Sequence, residues 1–338
     1  MRLLHVSIDV TRRVSGAMLC GVLMLGALGA GSQRAAGTVP TLSAAKTAGD
    51  SADELAEILV ETPEPRYVAP TQRDRIGRIW APVFINGRGP FRLVLDTGAS
   101  HSAVTAMVAL ALGIPTDQSP PVMLRGVTGS ATVPTIRVDT LSVGDVAVDS
   151  PLLPIVPDAM GGAQGILGSE GLANKRIFID FRHDKITIAY SHGERSGRDF
   201  VDIPFHSLHG RLIVVDAIVG GVRTTAIVDT GGQTTIANLA LRNALARLNT
   251  PGKSQPDQIV GATLAVEDGE IIATPAIQLG GVKMLDPGVT FADMYIFKQW
   301  QLTKEPAILI GMDALGVLDT LVIDYRRHEL QLRTMNSG

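Results

Sequence analysis

Two copies of the tripeptide Asp-Thr-Gly, at 96–98 and 229–231, are the residues of this chain best suited to chemistry. With Gly near 7% and Asp and Thr at about 5% each, chance places this tripeptide in a chain of this length only about 0.06 times. Two carboxylates brought face to face share one proton and titrate as a pair. The ionised member takes a proton from a bridging water while the protonated member donates to a carbonyl oxygen. Asp96 and Asp229 are therefore candidates for activating water against an amide bond.

The residues after each Asp have physical roles in such a site. Gly98 and Gly231 permit a tight turn and bring backbone N–H groups near the carboxylates. Thr97 and Thr230 are expected to direct their hydroxyls toward the opposite loop, in a reciprocal hydrogen bond that sets the two Asp in register. The alternative for both threonines is an ordinary β-branched residue at the end of a strand.

The elements around the two tripeptides repeat along the chain. Each Asp closes an apolar strand, and helix-like segments follow at Ser102–Leu112 and Ile236–Leu248. Two further features recur in the same order, with Ile166-Leu167-Gly168 matching Leu309-Ile310-Gly311 and Ile179-Asp180-Phe181 matching Ile323-Asp324-Tyr325. The distance along the chain between matching residues is about ten residues larger for Gly168 and Gly311 than for the two Asp residues. This indicates two homologous lobes with an insertion in the second, before Gly311.

Strands should dominate both halves. Aromatic residues are only 4% while glycine reaches 36 residues, so the apolar content is Val, Ile, Leu and Ala punctuated by turns. Strands are predicted at 78–85, 91–95, 136–143, 177–180 and 186–189, with breaks at Gly, Pro and Asn.

At these residues the sequence resembles the aspartic peptidases, with a bilobal, pepsin-like layout built from two retropepsin-like bacterial lobes. The resemblance covers about 66–333 and is carried by the segments 94–100 and 227–233. It implies an all-β fold of two duplicated acid-protease lobes of the closed β-barrel type, with a short helix or two in each. It also implies a catalytic pair, Asp96 and Asp229, with one Asp from each lobe. One chain then suffices, so a monomer is expected.

The same resemblance implies a peptide or protein substrate and a flap that covers it. The Gly-rich segment Arg125–Ser130 is the first candidate, with Gly126, Val127, Thr128 and Gly129 at its tip, and 259–264 is the second. Gly-rich hairpin tips suit a cover that opens for a peptide and then excludes water. Plain surface hairpins are the alternative for both.

The leader and the linker are predicted from composition, and the two lobes from the repeat and the resemblance. Residues 1–30 look like a signal peptide or an anchor, 31–65 like a linker or pro-segment, and 66–195 and 196–338 like the two lobes. The linker includes a short acidic helical pattern at Asp50–Glu61. The protein is therefore predicted to be exported, periplasmic or secreted, with membrane association through residues 14–30 left open.

Other functions are less well supported. The only cysteine, Cys20, lies in the leader, so a thiol nucleophile and a Cys-ligated zinc are not expected. A net charge of −3 lacks the basic excess that nucleic acid binding needs. No cofactor is predicted. No metal is predicted either, because His206 and His209 lack a third ligand. A catalytically silent peptide-binding module with the same cleft is the main alternative.

Three further carboxylates are assigned structural roles. Asp180 and Asp324 each precede an aromatic and a charged run, which is typical of a hairpin turn stabilised by side-chain to backbone bonds. Asp313 follows Gly311-Met312, where the start of a helix favours an acidic residue.

Overall fold

The computed structural model of this chain covers parts of the leader and nearly all of the two repeats. It describes residues 4–7, 58–61, 80–143, 146–148, 152–158, 161–183, 185–208, 212–248, 253–285 and 287–335. The predicted leader and linker therefore lie almost wholly outside the described residues. Two short pieces of them are strands, β1 (Leu4–Ser7) and β2 (Ile58–Glu61).

The first half of the described chain contains twelve strands and one helix. They are β3 (Trp80–Ile85), β4 (Arg88–Leu95), β5 (Ala103–Thr105), α1 (Ala106–Leu112), β6 (Val122–Arg125), β7 (Ser130–Val133), β8 (Thr135–Arg137), β9 (Leu141–Val143), β10 (Val146–Val148), β11 (Leu152–Val156), β12 (Gly165–Leu167), β13 (Lys175–Asp180) and β14 (Lys185–Tyr190).

The second half repeats this succession with thirteen strands and three helices. They are β15 (Val201–Pro204), β16 (His206–Leu208), β17 (Leu212–Val219), β18 (Val222–Val228), β19 (Ile236–Ala237), α2 (Leu239–Arg247), β20 (Ser254–Val260), β21 (Val266–Ala273), β22 (Ile277–Leu279), β23 (Val282–Leu285), β24 (Gly288–Phe291), α3 (Tyr295–Gln299), β25 (Ala307–Ile310), α4 (Met312–Leu315), β26 (Leu318–Asp324) and β27 (Glu329–Thr334).

Each half builds a large sheet, a third sheet joins them, and β6 and β7 pair as a separate two-stranded sheet. The first sheet has the order β10-β9-β3-β4-β12-β5-β11-β8, and the second has β1-β23-β22-β17-β18-β25-β19-β24-β21-β20 with β16 beside β17. The third has the order β15-β27-β26-β13-β14-β2, so it takes strands from both halves. The predicted all-β, duplicated fold with few short helices is confirmed. Each of these sheets has two edge strands, as in a half-barrel.

Several local expectations differ from the structure, and both segments predicted as helix start with a strand, the second with β19 before α2. The strand predicted at 136–143 is two strands, interrupted around Asp139, where the Asn86 side chain accepts hydrogen bonds from Asp139 N–H and Thr140 N–H. The segment predicted as helix from Ser102 begins as β5 before α1, because Ala103 and Val104 pair with β12. The acidic helical pattern at 50–61 ends in β2, which forms an edge strand beside β14.

The strands that lead to the two Asp residues lie at the centre of the packing. The alternation of β4 puts Leu93 and Leu95 in the main hydrophobic core and Val94 on the opposite face of the sheet. Ala226 and Val228 of β18 face the same core, while Ile227 faces away. Because both faces of these strand ends are covered, the turns that follow them have a rigid base.

Candidate active site

Each Asp-Thr-Gly turn begins where a central strand ends. Asp96 follows β4, and its N–H donates to Leu167 O of β12 at 3.0 Å. Asp229 follows β18, and its N–H donates to Ile310 O of β25 at 3.0 Å. In both halves the two strands run parallel, so the same register places the two Asp residues in equivalent positions.

Backbone N–H groups of each turn form hydrogen bonds with its carboxylate. Asp96 Oδ1 accepts from the N–H groups of Gly98 at 2.8 Å and Ala99 at 3.0 Å. Asp229 Oδ1 accepts in the same way from the two residues that follow its Thr, at 2.9 and 3.0 Å. One oxygen of each carboxylate is therefore oriented by backbone donors.

The two carboxylates meet at the junction of the halves, and the glycines make this approach possible. A Cβ added at Gly98 would lie 2.8 Å from Asp229 Cγ, and one added at Gly231 would collide with Asp96 Cγ. A hydrogen bond joins the Asp96 and Asp229 side chains. The structure thus brings together the two residues that the sequence singled out, from positions 133 residues apart.

Burial and this close contact change the acidity of the pair. Burial of the carboxyl, then the charge of Asp229 and the shared hydrogen bond, raise the pKa of Asp96 well above its usual range. The N–H groups of Gly98 and Ala99 act in the opposite direction and do not outweigh them. Asp96 therefore keeps its proton at a pH where an exposed aspartic acid is ionised.

The two threonines cross-link the turns. Thr97 Oγ1 donates to Val228 O at 2.7 Å and accepts from Thr230 N–H at 3.0 Å. Thr230 Oγ1 donates to Leu95 O at 2.7 Å and accepts from Thr97 N–H at 3.2 Å. Both side chains are buried, so four hydrogen bonds tie one half to the other directly beneath the carboxylates.

A second layer supports each turn from behind, and the sequence reasoning missed its key members. Ser102 Oγ accepts from Gly168 N–H at 3.0 Å, while Ser102 N–H donates to the Glu170 carboxylate. The second half uses Thr235, whose hydroxyl accepts from Gly311 N–H at 3.2 Å and donates to Asp313 at 2.6 Å. The repeated hydroxyl residue six positions after each Asp is the signal that could have revealed this layer.

The two candidate flaps are hairpins whose tips touch. The strands β6 and β7 form the first and β20 and β21 the second. Thr128 Oγ1 at the first tip donates to Ala265 O of the second at 2.7 Å. A Cβ added at Gly261 would collide with Thr128, and one added at Gly129 would lie 3.0 Å from Ala265 Cβ. The segment 126–129 is thus the tip of a hairpin held against its counterpart.

The insertion noticed in the second repeat contains α3, and α3 contacts both flaps. Ile296 N–H donates to Val127 O at 3.0 Å, and Tyr295 N–H donates to Glu267 Oε2 of the second flap at 3.1 Å. The Val127 side chain packs against the apolar cluster that includes Phe297. No helix stands at the corresponding place among the described residues of the first half.

The other carboxylates have structural roles, as expected. Asp180 Oδ1 accepts from the N–H groups of Arg182 and His183, and Asp324 Oδ1 accepts from those two and three residues further along its own hairpin. Asp313 lies in the first turn of α4 and binds Thr235.

Among the described residues, no three or more His, Cys, Asp or Glu side chains are grouped so that they could hold a metal ion. His206 is exposed on β16, whereas His209 lies outside the described residues. Within those residues, no helix is long and apolar enough to cross a membrane; the predicted anchor at 14–30 lies outside them.

Comparison with known proteins agrees with this geometry. The model of one protein family, described as aspartyl protease, matches residues 81–170 and 215–314, which together make up more than half of the chain. The two matched regions each contain one Asp-Thr-Gly turn, one flap hairpin and one supporting Gly. A search of curated proteins found no match. The duplicated all-β fold and the family match show that this chain belongs to the aspartyl protease family.

Proposed function

We propose that this protein is an aspartic endopeptidase in which Asp96 and Asp229 activate a water molecule against a peptide bond. The observation that carries the proposal is the hydrogen bond between the two carboxylates, one from each half, where the two Asp-Thr-Gly turns meet. Family membership supports a protease-type hydrolase, and the proposal adds that Asp96 and Asp229 are its catalytic pair.

The proton inventory of the pair is sufficient for hydrolysis. The ionised carboxylate removes a proton from water as the water oxygen bonds to the carbonyl carbon, and the protonated carboxyl donates to the carbonyl oxygen. A tetrahedral diol results. A proton then passes from the carboxyl to the nitrogen as the C–N bond breaks, while a hydroxyl of the diol gives its proton to the other carboxylate and becomes the new acid carbonyl, so the pair again holds one proton. Burial and the close contact with Asp229 raise the pKa of Asp96, so the pair holds one shared proton at rest.

Rigidity of the turns serves the same chemistry. Backbone donors orient one oxygen of each Asp, and the buried Thr97 and Thr230 hydroxyls lock the two turns together. A preorganised pair needs little rearrangement during the reaction, which is where electrostatic catalysis gains most.

Substrate and location extend the proposal. The flaps suit a peptide or protein in extended form, and the apolar leader at 14–30 supports an extracytoplasmic substrate. Both Asp residues come from one chain, so a monomer suffices. A catalytically silent peptide-binding module remains the second candidate, since the cleft and flaps would serve it equally.

Site-directed variants test the mechanism. Asp96→Asn and Asp229→Asn should each abolish hydrolysis of a peptide library while the protein stays folded, since neither variant can hold the shared proton and activate water. Asp180→Asn is the matched control, because Asp180 caps a hairpin turn, and it should retain activity. Undiminished cleavage by either dyad variant would refute the mechanism. A folded wild type that binds peptides and cleaves none would favour the silent binding module.

A further inference from the structure

The two lobes carry equivalent helices, α1 and α2, whose outward faces differ in chemistry. The helices begin at matching places, because the same 133 residues separate Ala106 from Leu239 as separate the two Asp residues. Both pack an inner face into the main hydrophobic core, and the buried residues there are Val108, Ala109 and Leu112 in α1 and Leu241 and Leu245 in α2. The duplication therefore lets their outer faces be compared position by position.

The outer face of α1 is wholly apolar. The helix is built from Ala, Met, Val and Leu and has no polar side chain. Its two largest outward side chains, Met107 and Leu110, are 64% and 72% exposed, and Ala106 and Ala111 are exposed beside them. A surface helix ordinarily turns polar residues outward, because apolar surface in water is unfavourable. A continuous apolar face of this kind indicates a contact site.

The second helix shows that the fold does not require such a face. The residue equivalent to Leu110 is Asn243, which is exposed, and the residue equivalent to Met107 is Ala240. Arg242 of the same helix forms an ion pair with a carboxylate of β21 at 2.5 Å. The wholly apolar outer face is therefore a property of the first lobe alone, and the packing of the lobe does not account for it.

Two features of the chain indicate a lipid surface as the partner of this face. The leader contains an uncharged apolar stretch at 14–30, which brings the chain to a membrane as a signal peptide or as an anchor. The exposed Arg88 lies at the end of α1, where its guanidinium donates to Leu112 O at 2.8 Å, and a cation beside an apolar face suits anionic lipid headgroups. With seven residues, α1 is too short to cross a bilayer, so the contact is a shallow one.

We propose that the outer face of α1, formed by Ala106, Met107, Leu110 and Ala111, rests on a lipid bilayer and holds the first lobe against the membrane that the leader reaches. Entry of the Met107 and Leu110 side chains among the acyl chains removes their surface from water, which strengthens membrane partition by about tenfold for each. A contact of this size is weak alone and acts together with the leader, as two membrane signals on one chain do. It does not depend on whether the Asp pair is catalytic.

Fluorescence quenching in vesicles tests where the face lies. The full chain has one cysteine, so Cys20→Ser with Ala111→Cys places a single fluorophore on the outer face of α1, and Cys20→Ser with Asn243→Cys places it on α2. Both proteins are reconstituted into vesicles of phosphatidylcholine and phosphatidylglycerol, with or without a nitroxide on the acyl chains. We expect the lipid nitroxide to quench the probe at 111 at least about fivefold more than the probe at 243, and aqueous iodide to quench mainly the probe at 243.

Substitution by the residues of α2 tests which side chains make the contact. In the protein labelled at 111, Met107→Ala with Leu110→Asn gives α1 the outward residues of its repeat, and both positions are exposed, so the core is untouched. We expect this variant to lose quenching by the lipid nitroxide and to gain quenching by iodide. Leu248→Asn is the matched control, because Leu248 is an exposed apolar residue at the end of α2, and it should leave the probe at 111 unchanged.

The remaining outcomes overturn the proposal. Equal quenching of the two probes by iodide would show that α1 is open to water, and unchanged lipid quenching in the double variant would show that its side chains do not make the contact. A probe at 111 that neither quencher reaches would show that protein covers the face. Dilution of the protein in lipid then separates a second copy, which dissociates, from the chain's own leader, which does not. Peptide cleavage is measured separately, so loss of the lipid contact leaves the peptidase function standing.

Discussion

Replacing Thr97 or Thr230 by Val removes a hydroxyl while keeping the shape of a β-branched side chain. Each hydroxyl makes two of the four hydrogen bonds between the turns, and no bond is shared between the two hydroxyls. Thr97→Val leaves Thr230 N–H and Val228 O buried without their partner. An unpaired buried group costs about 1–3 kcal/mol, so we expect each single variant, which leaves two such groups, to lose about 2–6 kcal/mol of unfolding free energy.

The same change should reduce catalysis, because the turns carry the carboxylates. Loss of half the cross-link lets the two Asp residues drift, and a misplacement of about 1 Å can lower the rate about 100-fold. In the double variant the second replacement should cost less than the first, because the remaining bonds are already loosened. Denaturant unfolding and kcat on one peptide substrate measure both effects.

Thr274→Val is the matched control. Thr274 is also buried, but its hydroxyl makes its bond within the second half, donating to Pro287 O at 2.9 Å. We expect this variant to lose about 0.5–1.5 kcal/mol of stability and keep its kcat, because Pro287 O still accepts from Thr274 N–H at 3.0 Å. The reasoning is refuted if Thr97→Val and Thr230→Val unfold within about 0.5 kcal/mol of the wild type, or if Thr274→Val loses as much activity as they do.

Two further changes test the carboxylate pair. The raised pKa of Asp96 means that the folded protein keeps a proton which the unfolded chain releases above about pH 4, so this group lowers the stability of the fold as pH rises. The melting temperature of Asp96→Asn should therefore lie above that of the wild type at pH 7 and approach it near pH 3. Equal melting temperatures at pH 7 would contradict this. Gly231→Ala should abolish peptide hydrolysis, since its Cβ would collide with the Asp96 carboxylate, while Gly197→Ala, where the nearest atom lies 3.6 Å away, should hydrolyse normally.

Several features could be read from the sequence because short stretches of chain determine them. The all-β fold follows from apolar runs broken by Gly, Pro and Asn, and the duplication from motifs repeated in one order. The role of Asp180 was also predictable, since its partners lie two and three residues away in the same hairpin. The boundaries were less predictable: Asn86 breaks the strand predicted at 136–143 by bonding residues more than fifty positions further along the chain.

The contacts that turn these motifs into a site depend on tertiary structure. Thr97 binds Val228 across 131 residues, and Thr128 binds Ala265 across 137, and no local pattern predicts which partner such a side chain meets. Trp80 packs against the buried cluster that includes Val94 and Ile166, and the Arg92 guanidinium lies over its ring, contacts that only the folded chain brings together. The sequence by itself determined that two Asp-Thr-Gly turns exist on equivalent strands. Only the packing of the halves decided that the two carboxylates touch and that α3 contacts both flaps, because such contacts depend on which distant surfaces bury each other.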